Sequence, residues 1–218
     1  RVDSNKSAAQ NIEELCFRKG ALLVVEFENI FNSLFKNAEI YERIITALYS
    51  KTKGLTRKEI SKVTKIRSGG NLSEKLEALE ESGFITRYTP FQKKVKDIVY
   101  RLSDFYSHFY LKFIQNNTNF DEGIWTNAID HPAQRAWSGY AFEQICLSHT
   151  QQIKSALQIA GIISNNLTWR SKDGIQIDHL IDRRDQVINL CEVKYSINRY
   201  TISKDYAAKL RNKIGTFK

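Results

Sequence analysis

Two apolar runs near the C-terminal end decide the fold of this chain: residues 174–182, GIQIDHLID, and residues 187–194, VINLCEVK. Both runs are rich in β-branched residues and a charged turn separates them, which predicts a β-hairpin. Strict alternation places Glu192 and Lys194 on one face of the second strand. Asp178 lies on the first strand, fourteen residues before Glu192 (192 − 178). We therefore expect two carboxylates and a lysine to converge in one small site.

Such a trio is suited to metal-assisted hydrolysis of a phosphodiester. Asp178 and Glu192 would hold Mg²⁺, a hard cation that takes few protein oxygens and otherwise keeps water or phosphate oxygens. Lys194 would position the attacking water or stabilise the charge that develops on the phosphoryl group. The alternative is a solvated hairpin face that carries an ion pair. The apolar flanks favour partly buried charges instead, which are costly unless they are paired or bind a metal.

Composition predicts a soluble globular chain. Its 218 residues suffice for one large or two small domains, and 42% hydrophobic with 11% aromatic residues excludes a disordered chain. No apolar run reaches the length of a membrane span, so no membrane contact is expected. The three cysteines lack metal-ligand spacing and no signal peptide is recognisable, which together indicate the cytoplasm.

The sequence lacks one nucleotide-binding motif and one amino-acid type. It contains no Gly-x-x-x-x-Gly-Lys-Ser/Thr element, so this chain has no phosphate-binding P-loop. It also contains no methionine, not even at position 1. This predicts a piece of a longer chain, unless methionines stand at modified positions that the sequence omits.

The formal charge of +9 is concentrated in two segments. Residues 51–102 contain thirteen Lys/Arg and six Asp/Glu (13 − 6 = +7), and residues 191–218 contain seven and two (7 − 2 = +5). The rest of the chain therefore carries −3 (9 − 12). Two basic segments predict a polyanionic partner such as DNA, and the alternative is a basic face that is merely solvated.

Residues 41–103 have the pattern of three helices followed by two strands. Thr56 is placed as an N-cap, and Glu59 three residues later completes a capping box. The third helix has three leucines at helical spacing on its inner face. The pattern predicts helices over residues 41–50, 57–64 and 72–81 and strands over residues 84–88 and 96–102. Three helices and a basic two-stranded wing predict a winged helix.

In many winged helices the third helix enters the major groove of DNA and the wing contacts phosphates. Here that helix carries four glutamates against one lysine, so only its N-terminal end is suited to DNA. The second helix and the wing suit non-specific phosphate contacts. The alternative is a winged helix that serves packing or protein–protein contact. The predicted DNA-binding residues are Lys58, Lys62, Asn71, Ser73, Lys75, Lys93, Lys94 and Lys96.

The remaining segments frame the hairpin. A long helix opens at residue 137, carries Glu143 and runs to about residue 159, and a strand over residues 167–170 follows it. Ser203 caps a final amphipathic helix whose apolar face includes Tyr206, Leu210 and Ile214 and which ends at Gly215. The resulting order is helix, strand, strand, strand, helix.

That order resembles the αβββαβ core of the PD-(D/E)xK nuclease superfamily. Asp178 corresponds to the aspartate of its motif and residues 192–194 to the (D/E)xK element, while Ile177 replaces the proline. A glutamate on the first helix often joins the site in that superfamily, and Glu143 fits that place. The resemblance implies Glu143, Asp178, Glu192 and Lys194 as catalytic residues, with Asp178 and Glu192 as the Mg²⁺ ligands.

The complete order is similar to the C-terminal half of archaeal-type AAA+ (STAND-related) ATPases, on residues 100–104 (YRLSD), 137–143 (WSGYAFE) and 176–178 (QID). That family implies an ATP-binding P-loop domain before Arg1 and a last strand after the final helix. Its nuclease activity is itself inferred from the fold. The alternative function is a non-catalytic DNA-binding or protein-interaction module that regulates the ATPase.

The expected fold class is α+β, with a winged helix followed by a restriction-endonuclease-like αβββα domain that lacks its last strand. The partners implied are DNA and the chain's own ATPase domain, and an oligomer stays open, as does DNA against RNA. The expected domains are a helical segment over residues 1–40, the winged helix over 41–103, an aromatic helix with linker over 104–122, and the nuclease-like domain over 123–218.

Overall fold

A computed structural model describes the protein over residues 1–91, 97–117, 123–128 and 131–217. The chain is mixed α+β, and its strands form two small antiparallel sheets of three strands each. None of the helices in the described ranges is long and apolar enough to cross a membrane.

The chain divides into two compact units. One comprises Arg1–Arg87 with Val99–Gln134, and the other comprises Tyr88–Ile98 with Arg135–Lys218. The division groups the segment after residue 87 with the C-terminal unit, where Phe91 N donates a 2.8 Å hydrogen bond to the carbonyl oxygen of Thr168. The boundaries expected at residues 40, 103 and 122 stay predictions, and residue 122 itself lies outside the described residues.

The first unit is built from helices around one small sheet. Its strands lie in the order β1-β3-β2. The helices are α1 (Ala8–Cys16), α2 (Leu22–Leu34), α3 (Ala38–Tyr49), α4 (Arg57–Thr64), α5 (Gly70–Glu81) and α6 (Phe105–Phe109), and the strands are β1 (Leu55–Thr56), β2 (Ile85–Tyr88) and β3 (Val99–Leu102). A π-helical turn, Tyr110–Ile114, continues α6, so the predicted aromatic helix changes its winding midway.

The capping box that starts α4 is confirmed. Thr56 Oγ1 accepts a 3.3 Å hydrogen bond from Glu59 N, and Glu59 Oε2 accepts a 2.8 Å bond from Thr56 N. Two of the free N–H groups at the helix start are thereby satisfied. The helix has the predicted range, because its start is fixed by contacts only three residues apart.

An apolar core joins α2 to α5 and the sheet. The leucines predicted to face inward from α5 are confirmed as buried, and the fully buried members of this core include Phe31, Ile44, Ile45, Ile60, Leu72 and Leu79. Gly54 allows β1 to approach β3: its φ is +84°, and a Cβ at this position would lie 2.6 Å from the carbonyl oxygen of Tyr100. Only glycine fits this backbone conformation and this contact.

The second unit has helices before and after its antiparallel sheet. The strands lie in the order β4-β5-β6. The elements are α7 (Pro132–Ser148), α8 (Thr150–Ala156), β4 (Ser164–Arg170), β5 (Gln176–Arg183), β6 (Ile188–Cys191) and α9 (Lys204–Thr216). The predicted hairpin is confirmed as the pair β5 and β6, with Leu180 opposite Leu190.

The prediction of one long helix up to about residue 159 was wrong. The helix breaks at His149, and α8 begins at the next residue. At the break, Ser148 Oγ donates a 3.0 Å hydrogen bond to the Ile145 carbonyl oxygen, and His149 Nδ1 lies 2.8 Å from the same oxygen. These local side-chain contacts compete with the helical backbone pattern.

The prediction for the last helix was right in its N-cap and wrong in its packing. Ser203 Oγ accepts a 3.2 Å hydrogen bond from Tyr206 N at the start of α9. None of the residues of α9 is buried, and Ile214, expected on the inner face, is largely exposed. At its C-cap, Phe217 packs against Phe91 and Trp169, with ring centres 5.3 Å apart in each pair, and the polar contacts of α9 are described below.

Candidate functional site

The register of the hairpin brings Asp178 and Glu192 together. His179 pairs with Cys191 across β5 and β6, so the same register continued by one residue sets Asp178 opposite Glu192. Side chains opposite each other in an antiparallel pair lie on the same face and close together. The two carboxylates predicted to converge are therefore neighbours.

The second strand is shorter than predicted. It ends at Cys191, so Glu192 and Lys194 follow the strand and do not alternate along it. Beyond that point Asp178 Oδ2 accepts a 2.9 Å hydrogen bond from Val193 N. A side-chain carboxylate thus takes the N–H group that a continued ladder would use, which holds residues 192–194 against the first strand.

Glu192 is the centre of a polar network. Tyr206 Oη donates a 2.9 Å hydrogen bond to its Oε1, and Lys213 Nζ donates a 2.6 Å bond to its Oε2. Lys194 Nζ lies 3.4 Å from Oε1. The side chain of Glu192 is 17% exposed and that of Lys213 is 25% exposed, so this is a partly desolvated cluster in which each contact is stronger than at the open surface.

The pKa values of the two carboxyl groups, Asp178 and Glu192, are shifted in opposite directions. Burial raises the pKa of Asp178, the bond from Val193 N–H opposes that change, and the charge of Glu192 raises the pKa further. Burial would also raise the pKa of Glu192, but the hydrogen bonds from Lys213 and Tyr206 outweigh it, so this pKa is lowered. Neighbouring acids with diverging pKa values are typical of sites that use them in different roles.

Lys194 remains accessible although it is paired. Its side chain is 43% exposed, and its Nζ lies 5.3 Å from the centre of the Tyr206 ring. Burial alone would lower the pKa of Lys194, but Tyr206 and Glu192 outweigh burial and raise it. Lys194 is therefore a cation at neutral pH, suited to stabilising negative charge rather than to removing a proton.

Glu143 lies on α7 and is half-buried. Its neighbour Phe142 has its ring centre 5.9 Å from that of Tyr195, the residue after Lys194. The groups that shift the pKa of Asp178 are Val193, Glu192, Lys213 and Lys194. The structure thus brings Asp178, Glu192 and Lys194 together, whereas participation of Glu143 stays a prediction.

The donor set at this site is compatible with one hydrated Mg²⁺. Among the described residues no group of three or more His, Cys, Asp or Glu side chains could hold a metal ion. Mg²⁺ needs fewer protein ligands, because it commonly binds one or two carboxylates and completes its shell with water and phosphate oxygens. Asp178 and Glu192 provide such a pair, with Glu192 shared with Lys213.

The sequence analysis did not identify Tyr206 and Lys213 as partners of Glu192. They stand seven residues apart on α9 (213 − 206), which places them on one face of the helix. A tyrosine and a lysine at this spacing, a few residues after the Glu-x-Lys motif, could have indicated a polar helix face near the site. Helical periodicity could not identify Glu192 as their partner.

Two of the predicted DNA-binding residues of the first unit, Lys58 and Lys62, lie in a basic stretch of the chain. Residues 51–67 contain seven Lys/Arg and one Glu (7 − 1 = +6), and Lys58 and Lys62 are exposed one turn apart on α4. Asn71 is exposed at the start of α5, where Ser73 Oγ accepts a 2.8 Å hydrogen bond from Arg57 Nη1.

The other predicted DNA contacts divide into two groups. Lys75 Nζ lies 5.4 Å from the centre of the Tyr41 ring, so its charge has an aromatic neighbour within the unit. Lys93, Lys94 and Lys96 lie outside the described residues.

A scan against protein-family models, a search of curated proteins and a search of solved structures found no match to this chain.

Proposed function

We propose that this chain binds nucleic acid and hydrolyses phosphodiesters with Mg²⁺ at Asp178, Glu192 and Lys194. One observation carries the proposal. Three side chains, the first and last sixteen residues apart (194 − 178), meet at the end of one hairpin: a half-buried aspartate, a neighbouring glutamate and an accessible lysine. Two carboxylates beside a cation are the groups that metal-assisted phosphoryl chemistry uses.

The residues would act in separate roles. Asp178 and Glu192 would hold the ion, which supplies Lewis acidity and an activated water when bound. Lys194 would stabilise the negative charge that develops on the phosphoryl oxygens. Tyr206 and Lys213 would fix the orientation of Glu192 through their hydrogen bonds to its two oxygens. Glu143 would assist as a ligand or through a water.

The architecture of each unit supports the proposal. In the first unit the order α3, β1, α4, α5, β2, β3, with β3 between the other strands, agrees with a winged helix, which commonly contacts DNA. In the second unit the order of two helices, three strands and a helix agrees with a nuclease-like αβββα core. The basic stretch of residues 51–67 would contact phosphates without sequence preference.

Cleavage of supercoiled plasmid tests the catalytic part. We expect nicking in Mg²⁺ or Mn²⁺ that stops on chelation and falls at least about 100-fold in Asp178→Ala and in Lys194→Ala, the usual loss for a group that stabilises the transition state. Lys172→Ala is the matched control, since Lys172 is an exposed lysine of the second unit, in the turn between β4 and β5. Equal nicking in all four proteins would assign the activity to a contaminant and reject the site.

A second candidate function is a non-catalytic DNA-binding or protein-interaction module that regulates an ATPase. One observation favours it: both oxygens of Glu192 already accept bonds from Tyr206 and Lys213, so its charge is largely neutralised within the chain. Under this alternative no plasmid is nicked, and DNA binding is the same in Asp178→Ala and the unsubstituted protein.

A further inference from the structure

An exposed segment that carries several large apolar and aromatic side chains follows Lys194. Residues 195–202, YSINRYTI, contain no helix or strand, and four of their side chains are large and exposed. Tyr195 is 45% and Tyr200 is 47% exposed. Most large exposed apolar side chains on a protein surface are isolated, so a run of them beside a candidate site marks a surface for binding.

Two aromatic pairs connect this segment to the candidate site. Tyr195 lies next to Lys194 in the chain and contacts Phe142, whose ring is 5.9 Å away. Tyr200 lies with its ring centre 6.0 Å from that of Tyr206, edge to face, and Tyr206 is bonded to Glu192. Each exposed tyrosine is thus backed by a second ring, which limits the conformational freedom lost when a ligand stacks on it.

The charge around these rings is positive. Residues 191–217 contain six Lys/Arg and two Asp/Glu (6 − 2 = +4). The exposed cations of this stretch are Lys194, Arg199, Lys204, Lys209 and Arg211. A surface that combines exposed aromatic faces with cations favours a ligand that has flat rings and negative charges.

We propose that Tyr195 and Tyr200 form a stacking platform for single-stranded nucleic acid beside the candidate site. The proposal rests on the proposed function and names its substrate class. Unpaired bases stack on aromatic side chains while their phosphates follow a basic surface, and this mode is tolerant of sequence. Bases within a duplex are already stacked on each other and leave these rings unused. A neighbouring protein segment would not require the net charge of +4.

The platform is tested by fluorescence anisotropy with the whole chain in EDTA, so that cleavage does not interfere. The probes are a labelled oligothymidylate of about 16 nucleotides, the upper end of the site size of one single-strand-binding fold, and a duplex of equal length. We expect Tyr195→Ala and Tyr200→Ala each to weaken oligothymidylate binding at least about fivefold and to leave duplex binding unchanged.

Two control variants separate stacking from loss of apolar surface or of folding. Tyr200→Phe keeps the ring and should bind as the unsubstituted chain does. Ile163→Ala removes exposed apolar area from the second unit outside this segment, and should also leave the affinity unchanged. Oligothymidylate binding that does not change in either tyrosine-to-alanine variant overturns the proposal, as does an equal loss for oligothymidylate and duplex.

The same variants distinguish this proposal from the proposed hydrolysis. If the tyrosines control oligothymidylate binding but the chain nicks no DNA, the platform stands and the catalytic assignment fails. If nicking depends on Asp178 and Lys194 while oligothymidylate binds equally well without the tyrosine rings, the catalytic site stands and the platform is rejected.

Discussion

The helices of the two compact units are attached by different contacts. In the first, α3, α4 and α5 close on a continuous apolar core whose members, such as Ile44 and Leu76, have almost no exposed surface. In the second, α9 buries none of its residues; it is attached through the bonds of Tyr206 and Lys213 to Glu192 and, at its C-cap Phe217, through ring contacts with Phe91 and Trp169. Apolar burial is non-directional, whereas a charged network depends on geometry and on pH.

This difference suggests where function is concentrated. A unit held by an apolar core is stable without any particular polar group. In the second unit, two side chains of the last helix bond one glutamate, which couples part of the attachment of that helix to the ionisation of the candidate site. The following variants test the contrast, from the largest expected effect to the smallest.

Leu76→Ala should be the most damaging change. Leu76 is fully buried in the core of the first unit, and removing such a side chain typically costs about 2–5 kcal/mol through lost burial and the cavity that remains. Urea denaturation measures the change. Leu34→Ala, at an exposed leucine of α2, is the control, and an equal loss in both variants would contradict the assigned core.

Glu192→Gln should destabilise the second unit by about 1–3 kcal/mol, since it weakens two hydrogen bonds that involve charged or phenolic donors and leaves Lys213 without its counter-charge. Hydrogen exchange read by mass spectrometry should show faster exchange in α9 and no change in α3 to α5. Glu80→Gln removes an ion pair with the exposed Arg87 and should cost less than about 1 kcal/mol.

The pH dependence of Glu192 has a definite sign. Because its folded-state pKa is lowered, its stabilisation is present above the pKa of the unfolded chain and is lost as the pH falls through the folded pKa. The difference between Glu192→Gln and the unsubstituted protein should therefore shrink on acidification below the usual glutamate range. A difference that grows on acidification would refute the assigned network.

Asp178→Asn should stabilise the protein at neutral pH by about 0.5–2 kcal/mol, the common size of a single stabilising substitution. Burial and the charge of Glu192 raise the pKa of Asp178. Its contribution is therefore favourable below the ordinary aspartate pKa and is lost as the pH rises through the raised value. Asparagine keeps an oxygen for Val193 N–H without the charge.

The gain in Asp178→Asn should vanish below the ordinary aspartate pKa, as measured by urea denaturation across pH. The two acids thus give opposite pH signatures. A variant that is less stable than the unsubstituted protein at neutral pH would show that Asp178 is a structural ion rather than a group held at a cost in stability.

The smallest effects are expected at the two helix N-caps. Thr56→Ala removes the capping box of α4 and should cost about 1 kcal/mol. Ser203→Ala removes the single cap bond of α9 and should cost less than about 1 kcal/mol, because fewer N–H groups are left unsatisfied. Hydrogen exchange in the first turn of each helix measures both, and a larger effect at Ser203 would reverse the comparison.

The sequence predictions were correct where the structure depends on residues close together in the chain, and wrong where it depends on side-chain contacts that no local pattern marks. Helix α4 and its capping box were predicted correctly, since Thr56 and Glu59 are three residues apart. The break at His149 was not predicted, because no Gly or Pro marks it and it depends on side chains that bond the Ile145 carbonyl. The end of β6 was also misplaced, since it depends on Asp178, fifteen residues from Val193.

For the candidate site, the sequence predicted three members and missed two. Asp178 and Glu192 were predicted to be neighbours from the hairpin, which alternation and the turn between the strands specify, although Glu192 and Lys194 lie beyond the end of β6. Tyr206 and Lys213 reach Glu192 from a helix fourteen and twenty-one residues further along. Their contacts depend on where α9 lies against the sheet, and this is set by packing that no local pattern encodes.

By itself, the sequence determined what depends on near neighbours: the helix caps, the apolar face of α5, the hairpin and the two basic segments. The tertiary structure alone decided that one glutamate accepts bonds from Tyr206 and Lys213 and lies near Lys194 while the aspartate beside it has a raised pKa. The physical reason is the separation along the chain of the groups that interact. Caps and alternation act over a few residues, whereas desolvation and charge pairing act between groups that only the folded chain brings together.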